Sequence, residues 1–141
     1  MTAEKWEFAS PGWLKALKSE IERLLAAGNS RANWSLCEVF TDVPPHLDRD
    51  KTGIIAWHCR IKDGQAHFAE TEADDVDVKT IGDYQYLLPL ARLHIDPAAL
   101  KEVAAIWEDG ARRGLLRRIG DGSGRPVELA GLHNAVIAFT R

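Results

Sequence analysis

His58 and His67 are the residues of this 141-residue chain whose types and spacing come nearest to a reactive pair. Two runs, Ile54 to Ile61 and Gln65 to Thr71, flank Asp63-Gly64, a dipeptide suited to the positive φ angles of a two-residue hairpin turn. In that hairpin His67 stands opposite Arg60, with His58 diagonal to it on the same face. Two imidazoles on one sheet surface can bind a metal ion or share acid–base work. A zinc site needs a third and usually a fourth ligand, and Glu70 falls on the other face of a regular ladder. A solvated strand face is therefore the expectation, with no metal and no other cofactor.

The remaining chemical candidates give way to plainer readings in turn. Cys37 and Cys59 fall on neighbouring strands, and Cys59 lies between His58 and Arg60. Adjacent strand residues point to opposite faces, so neither flanking group lowers the thiol pKa, and both cysteines read as small buried apolar groups. Glu70, Glu72, Asp74, Asp75 and Asp77 lack the D-x-D-x-D-G order and closing glutamate of a calcium loop; they read as a charged edge strand that blocks unwanted pairing. Arg112, Arg113, Arg117 and Arg118 read as a solvated helix end, where cations favour the dipole, or as a contact for a lipid headgroup or acidic partner. GDGSG, from Gly120 to Gly124, has neither a P-loop ending nor a dinucleotide spacing and reads as a turn. There is no Gly-x-Ser-x-Gly elbow and no His-Glu-x-x-His helix.

Composition narrows the classes further. The chain is 45% hydrophobic and 28% charged, ordinary values for a globular protein. A net charge of −3 gives no electrostatic push toward nucleic acid, so none is expected as a partner. No apolar run approaches the ~20 residues needed to span a bilayer, and the start MTAEKWEFAS has no apolar core of a secretion signal. A reduced, cytoplasmic protein without stable membrane insertion is expected.

The elements that must position any site follow from periodicity and punctuation. Ser10-Pro11 is a cap and first-turn proline for a helix over 10–27, carried by Leu14, Leu17, Ile21, Leu24 and Leu25 and stopped at Gly28-Asn29. Trp34 to Thr41 is the first strand, ended by Pro44-Pro45. The hairpin supplies strands two and three. Val76, Val78 and Thr80 alternate with Asp75, Asp77 and Lys79 as strand four. A short helix runs from Asp83 to about Leu90, with Pro89 marking its end or a kink. Asp96-Pro97 starts another helix whose stripe is Leu100, Val103, Ala104 and Trp107. Leu115, Leu116 and Ile119 suggest strand five, and Val127 to Phe139 a closing helix with Leu129, Leu132, Val136 and Ile137 on one face.

This order resembles the sterol carrier protein type two family. The resemblance rests on Trp57 through the Asp63-Gly64 turn, on Ala73-Asp74-Asp75-Val76-Asp77-Val78-Lys79-Thr80, and on Gly82-Asp83-Tyr84 followed by Leu87-Leu88-Pro89-Leu90-Ala91. It covers about residues 30–119; at the late strand GARRGLLRR stands where the family commonly has a Gly-Lys pair. It implies one α+β domain over 1–141, with a five-stranded, largely antiparallel sheet and helices packed on one face. It also implies non-catalytic binding or carriage of a fatty acyl chain or similar lipid in a pocket between the layers.

On the residues themselves, an apolar pocket needs an aromatic and aliphatic wall with a few polar groups. The candidates are Trp57, Cys59 and Phe68 on the hairpin, Tyr84, Leu87 and Leu88 on the short helix, and Trp107 on the next one. His133 or an arginine of the 112–118 cluster would lie near the mouth. Cys59 should face Phe68 across the hairpin, and Ile61 should face Ala66. Two alternatives belong to other classes: a small enzyme with His58, His67 or His133 as general base on an apolar metabolite, and a dimerisation or interaction module that docks through exposed Trp6 and Trp13. A homodimer is compatible with either carriage or docking.

Overall fold

The computed structural model describes residues 4–29 and 31–141; residues 1–3, part of the start read above, and residue 30, the first of the expected core, lie outside the described residues. Helix α1 spans Pro11–Gly28. The Ser10 hydroxyl accepts from the Trp13 amide at 3.2 Å, filling one of the bonds a helix start lacks. Asn29 ends the helix in the left-handed conformation, φ 54°. Trp13, Leu14, Leu17, Ile21 and Leu25 form the buried stripe that lies on the sheet.

The sheet has five strands in the order β3-β2-β1-β4-β5. They are β1 Trp34–Thr41, β2 Ile54–Lys62, β3 Gln65–Ala69, β4 Val78–Asp83 and β5 Leu116–Gly120. β1 pairs in parallel with β4, and every other pair is antiparallel. The hairpin register places Cys59 against Phe68, Ile61 against Ala66 and Arg60 against His67, as the sequence predicts. Alternation divides the sheet into two faces. Trp34, Leu36, Glu38 and Phe40 of β1 share the inner face with Ile55, Trp57, Cys59 and Ile61 of β2.

The outer face is covered differently from expectation. Strand β4 begins at Val78, and residues 70–77 form an irregular crossover. Nor is β4 an edge, since it lies between β1 and β5. A parallel β1–β4 pair forces the chain to cross the sheet before it can enter β4, and the acidic run is that crossing. Its polar groups tie down to the outer face. The Asp77 carboxylate accepts from the Ser35 amide at 2.8 Å and from its hydroxyl at 3.1 Å. Arg60 donates to the Asp75 carbonyl at 2.6 Å, and Lys79 to Glu72 at 2.5 Å and Asp74 at 2.6 Å.

The inner face is roofed by helices. Asp83 caps α2, Tyr84–Ala91, by accepting from the Tyr86 amide at 3.0 Å. Pro89 stays inside α2, which runs on to Ala91; the bond its missing N–H forgoes would reach Gln85, an exposed residue whose carbonyl water can serve. Asp96 caps a single 3-10 turn, Pro97–Ala99, that leads into α3, Leu100–Arg112. The buried side of α3 is formed by Val103, Ile106, Trp107 and Gly110, with Leu100 57% exposed and Ala104 exposed. The expected closing helix is broken. A 3-10 turn, Val127–Leu129, is followed by α4, Leu132–Ile137, because Gly131 between them favours helix poorly.

The two ends of the described chain are clasped. Trp6 donates its amide to Phe139 at 2.7 Å and accepts from Arg141 at 2.8 Å. Trp13 is 3% exposed and its indole N–H donates to the Thr140 hydroxyl at 2.9 Å. The Trp6 ring packs on Gly12, where a Cβ would lie 2.1 Å from it. These tryptophans close the fold on itself, which corrects the expectation that Trp6 and Trp13 are exposed for docking.

Candidate ligand-binding cavity

A cavity of about 520 Å³ separates the inner face of the sheet from its helical roof. That volume falls within the few hundred to ~1,000 Å³ usual for small-molecule sites. Its floor is Trp34, Leu36, Glu38 and Trp57; its roof includes Leu87 and Leu90 of α2, Val103 and Trp107 of α3, and Leu132 and Val136 of α4. Exposed Arg118, Arg125 and Ala130 also line it and mark where it meets solvent.

The roof is held open by polar ties at its rim, between the α2–α3 connection and α4. His133 Nε2–H donates to the Leu93 carbonyl at 2.8 Å. Asn134 accepts from the Ile95 amide at 2.8 Å and donates to the Ile95 carbonyl at 2.7 Å. The Tyr86 hydroxyl, 2.7 Å from the Asp109 carboxylate, ties α2 to α3 and holds that carboxyl below its usual range. Helices pinned at their ends by such bonds span the space between without filling it.

The floor is not uniformly apolar. The strand registers set Glu38 beside Trp57 on one side and Thr80 on the other, and set Thr80 beside Arg118. One transverse row, Trp57–Glu38–Thr80–Arg118, thus crosses four strands under the cavity, and all four residues line it. Burial pushes the Glu38 carboxyl up to about 7, opposed by the Trp57 N–H and the Arg118 charge. The Trp57 indole lies close enough to favour the carboxylate, yet its buried N–H makes no hydrogen bond of regular geometry; nor does that of Trp34. The Arg118 guanidinium sits over the Trp107 ring at 4.3 Å from its centroid.

Of the wall residues expected from sequence, the cavity brings together Trp57, Leu87, Trp107 and His133. Cys59, Phe68, Tyr84 and Leu88 lie outside its lining. Phe68 stacks on Trp57 at 5.3 Å and buttresses the floor from the sheet edge. Cys59 is fully buried in that same layer, and burial raises its thiol to about 11. Tyr84 reaches back to donate to the Phe8 carbonyl at 2.9 Å, and Leu88 packs against the core. Arg118 is the member of the arginine cluster found at the mouth.

Glu38, Trp34 and Thr80 complete the floor without having been singled out by residue type. The signal for them was strand period: the reading that places Trp34 to Thr41 in a strand puts Trp34, Leu36, Glu38 and Phe40 on one face. A carboxylate in that row among aromatic residues is conspicuous once the face is traced. Elsewhere, His58 donates to the Thr71 carbonyl at 2.7 Å and His67 is exposed. Among the described residues no cluster of three or more potential metal ligands occurs, and no helix is long and apolar enough to cross a membrane.

No protein-family model matches the chain, and no curated protein matches it in sequence. Solved structures do match. The solution structure of sterol carrier protein domain 2 of Helicoverpa armigera superposes with a TM-score of 0.55 at 13% identity, over 100% of this chain and 98% of that one. A crystal structure of sterol carrier protein 2 gives 0.49 at 16% identity over 93% and 95%. A conserved hypothetical protein, possibly a sterol carrier protein, from Thermus thermophilus gives 0.46 at 17% over 96% and 89%. The mixed, mostly antiparallel five-stranded sheet with its helical roof is the sterol carrier protein fold.

Proposed function

We propose that this protein binds and carries a lipid-like molecule, without chemistry on it, in the cavity between sheet and helices. The observation that carries the reading is the cavity itself: about 520 Å³ of space walled by tryptophan, leucine and valine side chains. Each ligand CH₂ taken from water into such a wall gains about 0.8 kcal/mol, so an alkyl chain of moderate length binds usefully through burial alone. The Helicoverpa armigera protein that shares the fold is named for carrying sterols, in keeping with an apolar guest. Two side chains a hydrolytic or proton-transfer reading would need are otherwise engaged. Burial keeps Cys59 protonated, and His133 is tied by Nε2–H to a backbone carbonyl where a catalytic base would be oriented by a carboxylate.

Native mass spectrometry of freshly purified protein tests the proposal. A population heavier by the mass of a lipid, lost on organic extraction, is the expected result. Readdition of a long-chain alkyl compound to the extracted protein should then shift tryptophan emission saturably at micromolar concentration, because Trp34, Trp57 and Trp107 all line the cavity. Protein with no added mass and no saturable shift would end the carrier reading.

A further inference from the structure

We infer that Glu38 and the indole N–H of Trp57 form a recognition point on the cavity floor for the hydroxyl head of an otherwise apolar ligand, one that discriminates against carboxylate heads. The inference rests on the carrier reading and specifies which end of the guest goes inward.

Three observations support it. Glu38 occupies the middle of the inner face on the central strand, with Trp57 and Thr80 as its cross-strand neighbours, and all three line the cavity. Trp57 is 1% exposed, and its N–H lies near the Glu38 carboxyl yet makes no hydrogen bond of regular geometry, so the donor and the carboxyl are left for a third group to bridge. Burial disfavours charge on Glu38, so a guest that supplies a hydrogen bond without a second charge relieves the site. The other charged or titratable side chains lining the cavity are Arg118 of β5, Arg125 beyond it and His133 of α4; Cys37 of β1 borders the floor, but its Sγ accepts from the Ala73 amide at 3.5 Å on the outer face.

Head-group chemistry selects among guests. A hydroxyl is donor and acceptor at once: its O–H donates to the Glu38 carboxylate while its oxygen accepts from Trp57. When Glu38 is protonated the hydroxyl accepts from it instead, so either state is served. A carboxylate head can only accept, and beside an ionised Glu38 it meets a like charge in a partly desolvated space. An ammonium head can donate to an ionised Glu38 with opposite charge, so Glu38 sets no barrier against a cation, although the Trp57 N–H is left unmatched and Arg118 lies on the same row.

The test compares decanol and decanoate at pH 8 by titrating tryptophan emission of the delipidated protein. Decanol should bind at least about tenfold more tightly than decanoate, the discrimination expected when one head gains a charge-assisted hydrogen bond and the other meets a like charge. Glu38→Gln should raise decanoate affinity about tenfold, since a carboxamide N–H donates to a carboxylate, and should change decanol affinity far less. Trp57→Phe should weaken decanol several-fold. Decanoate binding as tightly as decanol, or a head-group preference unchanged in Glu38→Gln, overturns the inference while leaving carriage standing. Failure of decanol and decanoate alike to bind removes the inference and the carrier reading together. The comparison on the wild-type protein decides the matter even should a variant not fold.

Discussion

Glu38 puts a carboxyl on the inner face of the sheet, where charge is costly, and the cost is open to measurement without any ligand. Its pKa rises from 4.5 to about 7 on folding, chiefly through burial. Below the lower value both folded and unfolded chains hold the proton and no penalty arises. Between 4.5 and 7 the folded state binds more protons than the unfolded one, so stability falls as pH rises; above 7 the full penalty is present. The difference corresponds to about 3 kcal/mol, less whatever solvent in the open cavity screens. Glu38→Gln should therefore unfold in more urea than the wild type at pH 8, by up to that amount, and at nearly the same urea concentration near pH 4.5. Parallel behaviour of the two proteins across this range would show the carboxyl to be well solvated. The residue was legible from strand period alone, but residue type drew attention to the histidines and thiols instead. Those side chains turn out to be bonded to backbone carbonyls, exposed or buried as inert sulfur.

At the scale of elements, the strands and caps were legible because short-range chemistry decides them. Trp34 to Thr41 is β1 to the residue, and Ser10, Asp83 and Asp96 each cap the turn they precede. What escaped was decided by long-range pairing. The acidic run alternates like a strand, yet the parallel partnership of β1 and β4 turns it into a crossover bound to the outer face, and no local pattern announces a parallel neighbour. The α3 stripe slipped for a similar reason. Leu100 and Ala104 point to solvent because β5 and α2 meet the helix at Gly110, where a Cβ would lie 2.7 Å from Leu116 and 2.8 Å from Tyr86. That close approach makes a sign prediction. In an open helix Gly110→Ala would gain about 1 kcal/mol from propensity. Here the methyl meets the buried Leu116 at its branched Cγ as well as at a terminal carbon, and overpacking of a tight core site costs about 1–3 kcal/mol. A net loss of stability in urea unfolding is the expected outcome; a more stable variant would show that α3 can move away from β5.

For the whole molecule, the tension is between a clasped, well-tied shell and a hollow interior. The outer face is strapped by residues 70–77, the ends meet through Trp6, Thr140 and Arg141, and the roof is pinned by His133 and Asn134. Such a shell keeps its space without a guest and gains stability when one enters. By linkage, a ligand at a hundred times its dissociation constant adds about 2.7 kcal/mol, which for a chain of this size raises the melting temperature by several degrees. Ala91, the last residue of α2, is partly buried and lines the cavity, so a larger side chain there grows into empty volume rather than into packed atoms. Ala91→Phe should melt at or above the wild-type temperature without ligand, since it buries new apolar surface where none was packed. It should lose more than half of the decanol-induced rise, since guest and phenyl ring compete for the same space. An undiminished rise in a stably folded Ala91→Phe protein would place the guest elsewhere on the molecule, because a shared volume cannot be filled twice.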